Sequence, residues 1–157
     1  MTALGPEDVW SYPRPPWLEP VPERVRIVHQ GTVVADTTGA YRVLETSHPP
    51  TFYLPPDDVI TTLAPAKGQS MCEWKGLAAY FDVLVEDERL TRAAWTYAAP
   101  TKAFAPIAGY LSFYPWRFGG CFVGEMRATG QQSDFYGGWI TPNLKGPFKG
   151  PSGTGHW

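Results

Sequence analysis

The sequence predicts an all-β fold, on three observations. Seventeen prolines and sixteen glycines in 157 residues interrupt every longer apolar window. The stretches between them are short and rich in β-branched and aromatic residues, the strand-forming types. Turn signals such as Gln30-Gly31 and Glu86-Asp87-Glu88 separate stretches of strand length. Helix is expected only in short pieces, near residues 56–63 and 101–104.

In chain order, residues 1–24 form an extended arm, because Pro13, Pro15, Pro16, Pro20 and Pro22 remove donors and hold their predecessors extended. Trp10, Tyr12 and Trp17 favour docking of this arm onto the chain's own surface over capture of a partner domain. Residues 25–135 form the β core. Residues 25–29 and 32–36 are β-branched runs joined by Gln30-Gly31, a hairpin whose glycine supplies positive φ. Strands follow at 41–45 and 51–54, the second boxed by Pro49-Pro50 and Pro55-Pro56 and so confined to a short edge or rim. Pro55-Pro56-Asp57-Asp58 opens one or two helical turns that Pro65 ends. Residues 72–75, 78–85 and 90–97 read as strands, the last two a hairpin, and 107–114 and 121–127 complete the series. Residues 136–157 are a Gly/Pro-rich wrap, in which Trp139, Phe148 and Trp157 are too apolar to leave in water.

The length suits one domain, and 43% hydrophobic with 18% charged residues is a globular composition. A net charge of -2 without a Lys/Arg cluster argues against nucleic acid as partner. The first residues have neither a basic nor an apolar leader region, and the most apolar window, 76–85, is interrupted by Asp82 and too short for a bilayer. A cytoplasmic protein without membrane contact is expected, as monomer or homodimer. Cys72 and Cys121 lie far apart, and His29, His48 and His156 are scattered, so no metal site and no cofactor is expected and both thiols should be free.

Several blocks carry a family resemblance: Leu44-Glu45-Thr46-Ser47-His48-Pro49-Pro50-Thr51-Phe52-Tyr53-Leu54-Pro55, Cys72-Glu73-Trp74-Lys75-Gly76, Ala94-Trp95-Thr96-Tyr97 and the run from Ile107 to Pro115. In these the chain resembles the domain of unknown function 427 family of small bacterial and fungal proteins. The resemblance implies coiled antiparallel sheets in a β-tent-like (Mss4-like) domain, similar to methionine sulfoxide reductase B. It does not imply the zinc chemistry of those relatives, whose paired CxxC motifs are missing here.

Strand alternation selects the candidate site. It places Leu111 and Phe113 on a core face and Tyr110, Ser112 and Tyr114 on the other, and it puts Trp95 with Tyr97. Rings with polar tips suit a pocket that stacks on a ligand and hydrogen-bonds it; a solvent-facing tyrosine row is the alternative. Glu73, if turned inward, would be desolvated into a general acid or base; on the surface it would only pair with Lys75. Glu45 and His48 flank Thr46-Ser47 before two prolines, a rigid strand end of the kind that lines sites. With Cys72 they would compose a nucleophile, base and orienting carboxylate, or a mixed metal site, if three distant segments converge. The glycine-rich 146–155 lacks the Gly-Lys-Ser/Thr ending of a phosphate loop.

The leading expectation is a small-molecule-binding domain whose pocket is built from Glu45, His48, Glu73, Trp95, Tyr97, Tyr110 and Tyr114, for a polar ring-containing ligand such as a sugar or nucleoside. The rivals are an enzyme using the same pocket, through Glu73 and His48 or through Cys72 as hydrolase or transferase, and an interaction module acting through the proline-rich arm.

Overall fold

The computed structural model describes residues 4–133 and 135–157; the first three residues of the expected arm lie outside them. The fold is all-β, and its largest sheets are antiparallel. In chain order the strands are β1 (Glu7–Asp8), β2 (Trp17–Pro20), β3 (Val25–His29), β4 (Thr32–Thr37), β5 (Tyr41–Leu44), β6 (Thr51–Tyr53) and β7 (Thr62–Cys72). Then come β8 (Gly76–Val85), β9 (Glu88–Thr96), β10 (Leu111–Phe113), β11 (Gly120–Val123), β12 (Met126–Gly130), β13 (Trp139–Ile140) and β14 (Leu144–Lys145). The hairpins β3–β4 and β8–β9 form as expected, with Gln30 at φ 48° and Gly31 at φ 80° turning the first.

One sheet runs β13-β12-β11-β3-β4. A second runs β10-β9-β8-β7 and a third β2-β5-β6. Leu54 and Leu111 exchange both backbone hydrogen bonds, at 2.8 and 2.9 Å, and so join the second and third sheets edge to edge through β6 and β10.

That joined layer has two faces, and period-two alternation sorts the residues between them. Phe52, Ala94 and Phe113 point into the main core with Val25, Ile27, Val34 and Trp139. Their sequence neighbours Tyr53, Trp95 and Tyr114 point the other way, into a second cluster with Tyr80, Tyr97 and Phe104. The aromatic cluster is therefore the back of the core layer.

Both ends of the described chain lie down on this frame. β2 pairs with β5, and Arg42 of β5, almost fully buried, donates to Glu7 at 2.9 and 2.8 Å and to Glu19 at 2.8 Å. In the tail Trp139 is fully buried and its indole donates to the Phe113 carbonyl at 3.1 Å. No helix among the described residues is long and apolar enough to cross a membrane.

Several expected elements differ. Residues 62–71, where a helix end at 62–63 and no strand were expected, run with Cys72 as the longest strand. Pro65 is tolerated because β7 is an edge strand whose register breaks between Pro65 and Gln69. Residues 73–75, expected in a strand, are the turn into β8. The run 107–114 is a strand only at β10, since a 3-10 helix (Lys102–Ile107) and Gly109 at φ 77° precede it. The run 121–127 is a hairpin, β11 and β12, turned at Gly124 with φ 59°. The helix near 56–63 is one 3-10 turn, Pro56–Asp58. β6 is short, as its flanking prolines require, yet it is no free edge: it pairs with β5, and Leu54 continues it against Leu111.

Candidate functional site

The floor of the site is the outward face of the joined layer. Trp95 and Tyr114 rings lie 4.6 Å apart between centroids, and Tyr53 packs against Trp95 and Tyr97 at 6.5 and 6.2 Å. Burial pushes the Tyr53 and Tyr97 phenols well above the usual range, so both stay protonated. Over this floor is a cavity of about 280 Å³. Three segments wall it: the 45–50 loop, the end of β7 with its turn, and Gln131 with Phe135, Tyr136, Gly137 and Lys149 from the C-terminal part of the chain.

The 45–50 loop is gripped from both sides. Ser47 N–H donates to the Val9 carbonyl at 3.0 Å and Thr46 Oγ1 to the Tyr12 carbonyl at 2.6 Å, both on the arm. Lys149 N–H donates to the Ser47 carbonyl and Trp139 N–H to the Pro50 carbonyl, each at 2.8 Å, from the tail. Ser47 sits fully buried at φ 70°, a left-handed conformation that these bonds hold.

His48 is buried on this loop, with its ring edge-on to Tyr136 at 4.9 Å between centroids. Its Nδ1 lies 3.2 Å from Gln131 Nε2. Gln131 Oε1 accepts from Gly138 N–H at 3.2 Å, and its Nε2 donates to the Lys149 carbonyl at 2.7 Å, which fixes the amide orientation. Nδ1 is therefore an acceptor, the proton is on Nε2, and Nε2 lies 3.8 Å from Glu45 Oε2. Burial, together with the charges of Lys149, Arg14 and Lys75, lowers the imidazole to about 4. At neutral pH His48 is a neutral N–H donor and a weak base.

The expected residues Glu45, His48, Glu73, Trp95, Tyr97 and Tyr114 all line this cavity, and so does Cys72. Tyr110 does not. Its ring packs edge-on against Tyr41, 6.0 Å between centroids, because the turn at Gly109 breaks the alternation that would have aligned it with Tyr114. Glu73 stands exposed on the turn after β7, at the edge of the cavity and not turned into it. Cys72 is half-buried at the end of β7, and among the described residues no hydrogen bond or ion pair joins it to His48. No group of three or more His, Cys, Asp or Glu among the described residues is placed to hold a metal ion.

Tyr53, Gln131, Lys75, Tyr136 and Lys149 also line the cavity and were not anticipated. Tyr53 carried a signal, the alternation with Thr51 in the proline-boxed strand; both line the cavity. Gln131, directly after β12, and Lys149, in the tail, carried none. Lys75 lies 5.8 Å from the Tyr97 ring centroid and Lys149 5.4 Å from that of Tyr136, so the rim bears ammonium groups as well as carboxylates.

No curated protein matches the chain. The family model described as a domain of unknown function (DUF427) matches residues 17–124, well over half of the chain, a stretch that holds the aromatic floor, the 45–50 loop and the turn after β7. The chain belongs to the domain of unknown function 427 family.

Proposed function

We propose that the cavity binds a polar, ring-containing small molecule of sugar or nucleoside type. The observation that carries this is the pairing of a floor of four buried rings, Tyr53, Trp95, Tyr97 and Tyr114, with a polar rim. On that rim the His48 N–H and the Glu45 carboxylate stand side by side, a donor and an acceptor matched to adjacent hydroxyls or to the edge of a base. A volume of about 280 Å³ suits one substituted ring rather than a dinucleotide.

The experiment is a titration of the 15N-labelled protein with monosaccharides and nucleosides, reading the Trp95 indole resonance. A saturable shift, weakened in His48→Asn and in Glu45→Gln, is expected. Absence of saturation at millimolar ligand for both classes would overturn the reading. The enzymatic alternative keeps one support: the half-buried Cys72 thiol opens into the same cavity. We further infer one folding unit of β-tent-like arrangement in a cytoplasmic protein, a reading supported by the shared core layer and the two free thiols.

A further inference from the structure

We propose that a second cavity, beside the first, receives the phosphoryl group of a phosphorylated ring ligand; the proposal rests on the ring-binding reading of the first cavity. The second cavity, about 310 Å³, is lined by Arg92 and Arg117 with Thr91, Trp116 and three residues it shares with the first, Tyr80, Tyr114 and Phe135. The two cavities thus lie on either side of common walls. The proposal places the substituents of a ring stacked at Tyr114 and Trp95 toward these shared residues, past the Tyr114 hydroxyl that donates to the Phe135 carbonyl at 3.0 Å.

The chemistry of the second cavity is that of an oxyanion site. Among the described residues, two guanidiniums line it and no carboxylate does. The Arg92 guanidinium carbon stands over the Tyr80 ring, 4.2 Å from its centroid. Its Nη1 fills the space beside Gly68, only 2.9 Å from where a Cβ would stand, so a glycine there, at φ 96°, is what admits the side chain. Asp82, the nearby carboxylate, is taken up by the Arg92 backbone N–H at 2.8 Å and by Arg89 Nε at 2.7 Å. The Arg92 guanidinium therefore has no carboxylate partner among the described residues. Arg117 donates one Nη1 hydrogen bond to the Thr91 carbonyl and stacks on Trp116 at 5.4 Å, with Asp82 acting on it only at longer range. Each guanidinium is held in place by an aromatic ring and keeps N–H groups for a ligand. Two like charges converging on one concavity favour a dianion, and the planar forks match phosphate geometry. Trp116 and Phe135, 49% and 54% exposed, give the rim apolar surface for the ring's flank.

The test follows the Trp116 and Trp95 indole resonances of the full chain, one for each cavity, at constant chloride. The probes are inorganic phosphate, glucose with glucose 6-phosphate, and adenosine with adenosine 5′-monophosphate. Phosphate should shift Trp116 saturably and leave Trp95 unmoved. In whichever pair binds, the phosphorylated member should bind at least about tenfold more tightly. Arg92→Gln and Arg117→Gln should each remove most of that advantage while leaving the unphosphorylated member unaffected, and Arg92→Lys should keep part of it. No saturable Trp116 response to any of the three anions, or an advantage unchanged in the arginine variants, would overturn the proposal. Saturation by phosphate without tighter binding of either ring phosphate would make this a free-oxyanion site and overturn the link between the cavities. If phosphate moves Trp116 but neither unphosphorylated ring moves Trp95, the ring-binding reading fails and the anion site stands alone.

Discussion

The side-chain amide of Gln131 holds the imidazole of His48 in a single tautomer, donating to Nδ1 at 3.2 Å while its oxygen is occupied by Gly138 N–H. Protonating His48 would set one N–H against another as well as charge a buried ring, which agrees with the lowering to about 4. Because the folded value lies below the ordinary 6.5, the unfolded chain takes up the proton first. Stability is full above pH 6.5 and falls as pH drops toward 4, by up to about 3 kcal/mol. Urea melts across this range, compared with His48→Asn, check it; a His48 ring resonance titrating near its ordinary value would sink the account.

Arg42 secures the arm. Its guanidinium is buried between Glu7 and Glu19, and Glu7 also accepts from the Tyr12 hydroxyl at 2.5 Å. Burial raises the Glu7 carboxyl, but the bonds from Arg42 and Tyr12 outweigh it and leave the group below its usual range. Arg42→Ala strands two carboxylates and should cost about 3 kcal/mol. Limited proteolysis should then cut near Arg14 before the core opens; an arm as protected as in the native chain would contradict this.

Gly137 lies against Trp95. A Cβ there would stand 2.1 Å from Trp95 Cη2, so either the indole or the tail must move. Gly137→Ala should destabilise by about 1–3 kcal/mol and shift the Trp95 indole resonance, with the main core unchanged. A variant with native stability and an unmoved Trp95 signal would show that the tail does not cover this ring.

The two thiols should behave differently. Cys121 is buried, and that burial pushes its thiol up to about 12, whereas Cys72 opens into the cavity. An aromatic disulfide reagent should label one thiol in the native protein and both after denaturation. If Cys72 acts as a nucleophile, alkylating it should abolish turnover while leaving the fold intact. Equal labelling of both cysteines in the native state would contradict the burial of Cys121.

Much of the floor was legible because alternation is local. Trp95 and Tyr97 are two residues apart on one strand and its exit, and nothing between them breaks the period. Tyr110 failed for the complementary reason, a left-handed glycine one residue earlier. Residues 62–71 were hidden because Pro65 and Gly68 ordinarily end a strand, and only an edge position beside β8 makes them tolerable. The face taken by Glu73 depended on where a turn began. Gln131 and Lys149 stand 83 and 18 residues from the partners that give them meaning, and no short-range pattern encodes such docking.

The hold of the arm and tail on the 45–50 loop has a mechanical consequence. The arm bonds to Thr46 and Ser47 and the tail to Ser47 and Pro50, so a pull on either segment is transmitted through a few backbone bonds to the same short loop. His48 sits at that junction, with Pro49 and Pro50 stiffening the chain directly after it. The position of the His48 ring over the cavity thus depends on both segments staying docked at once.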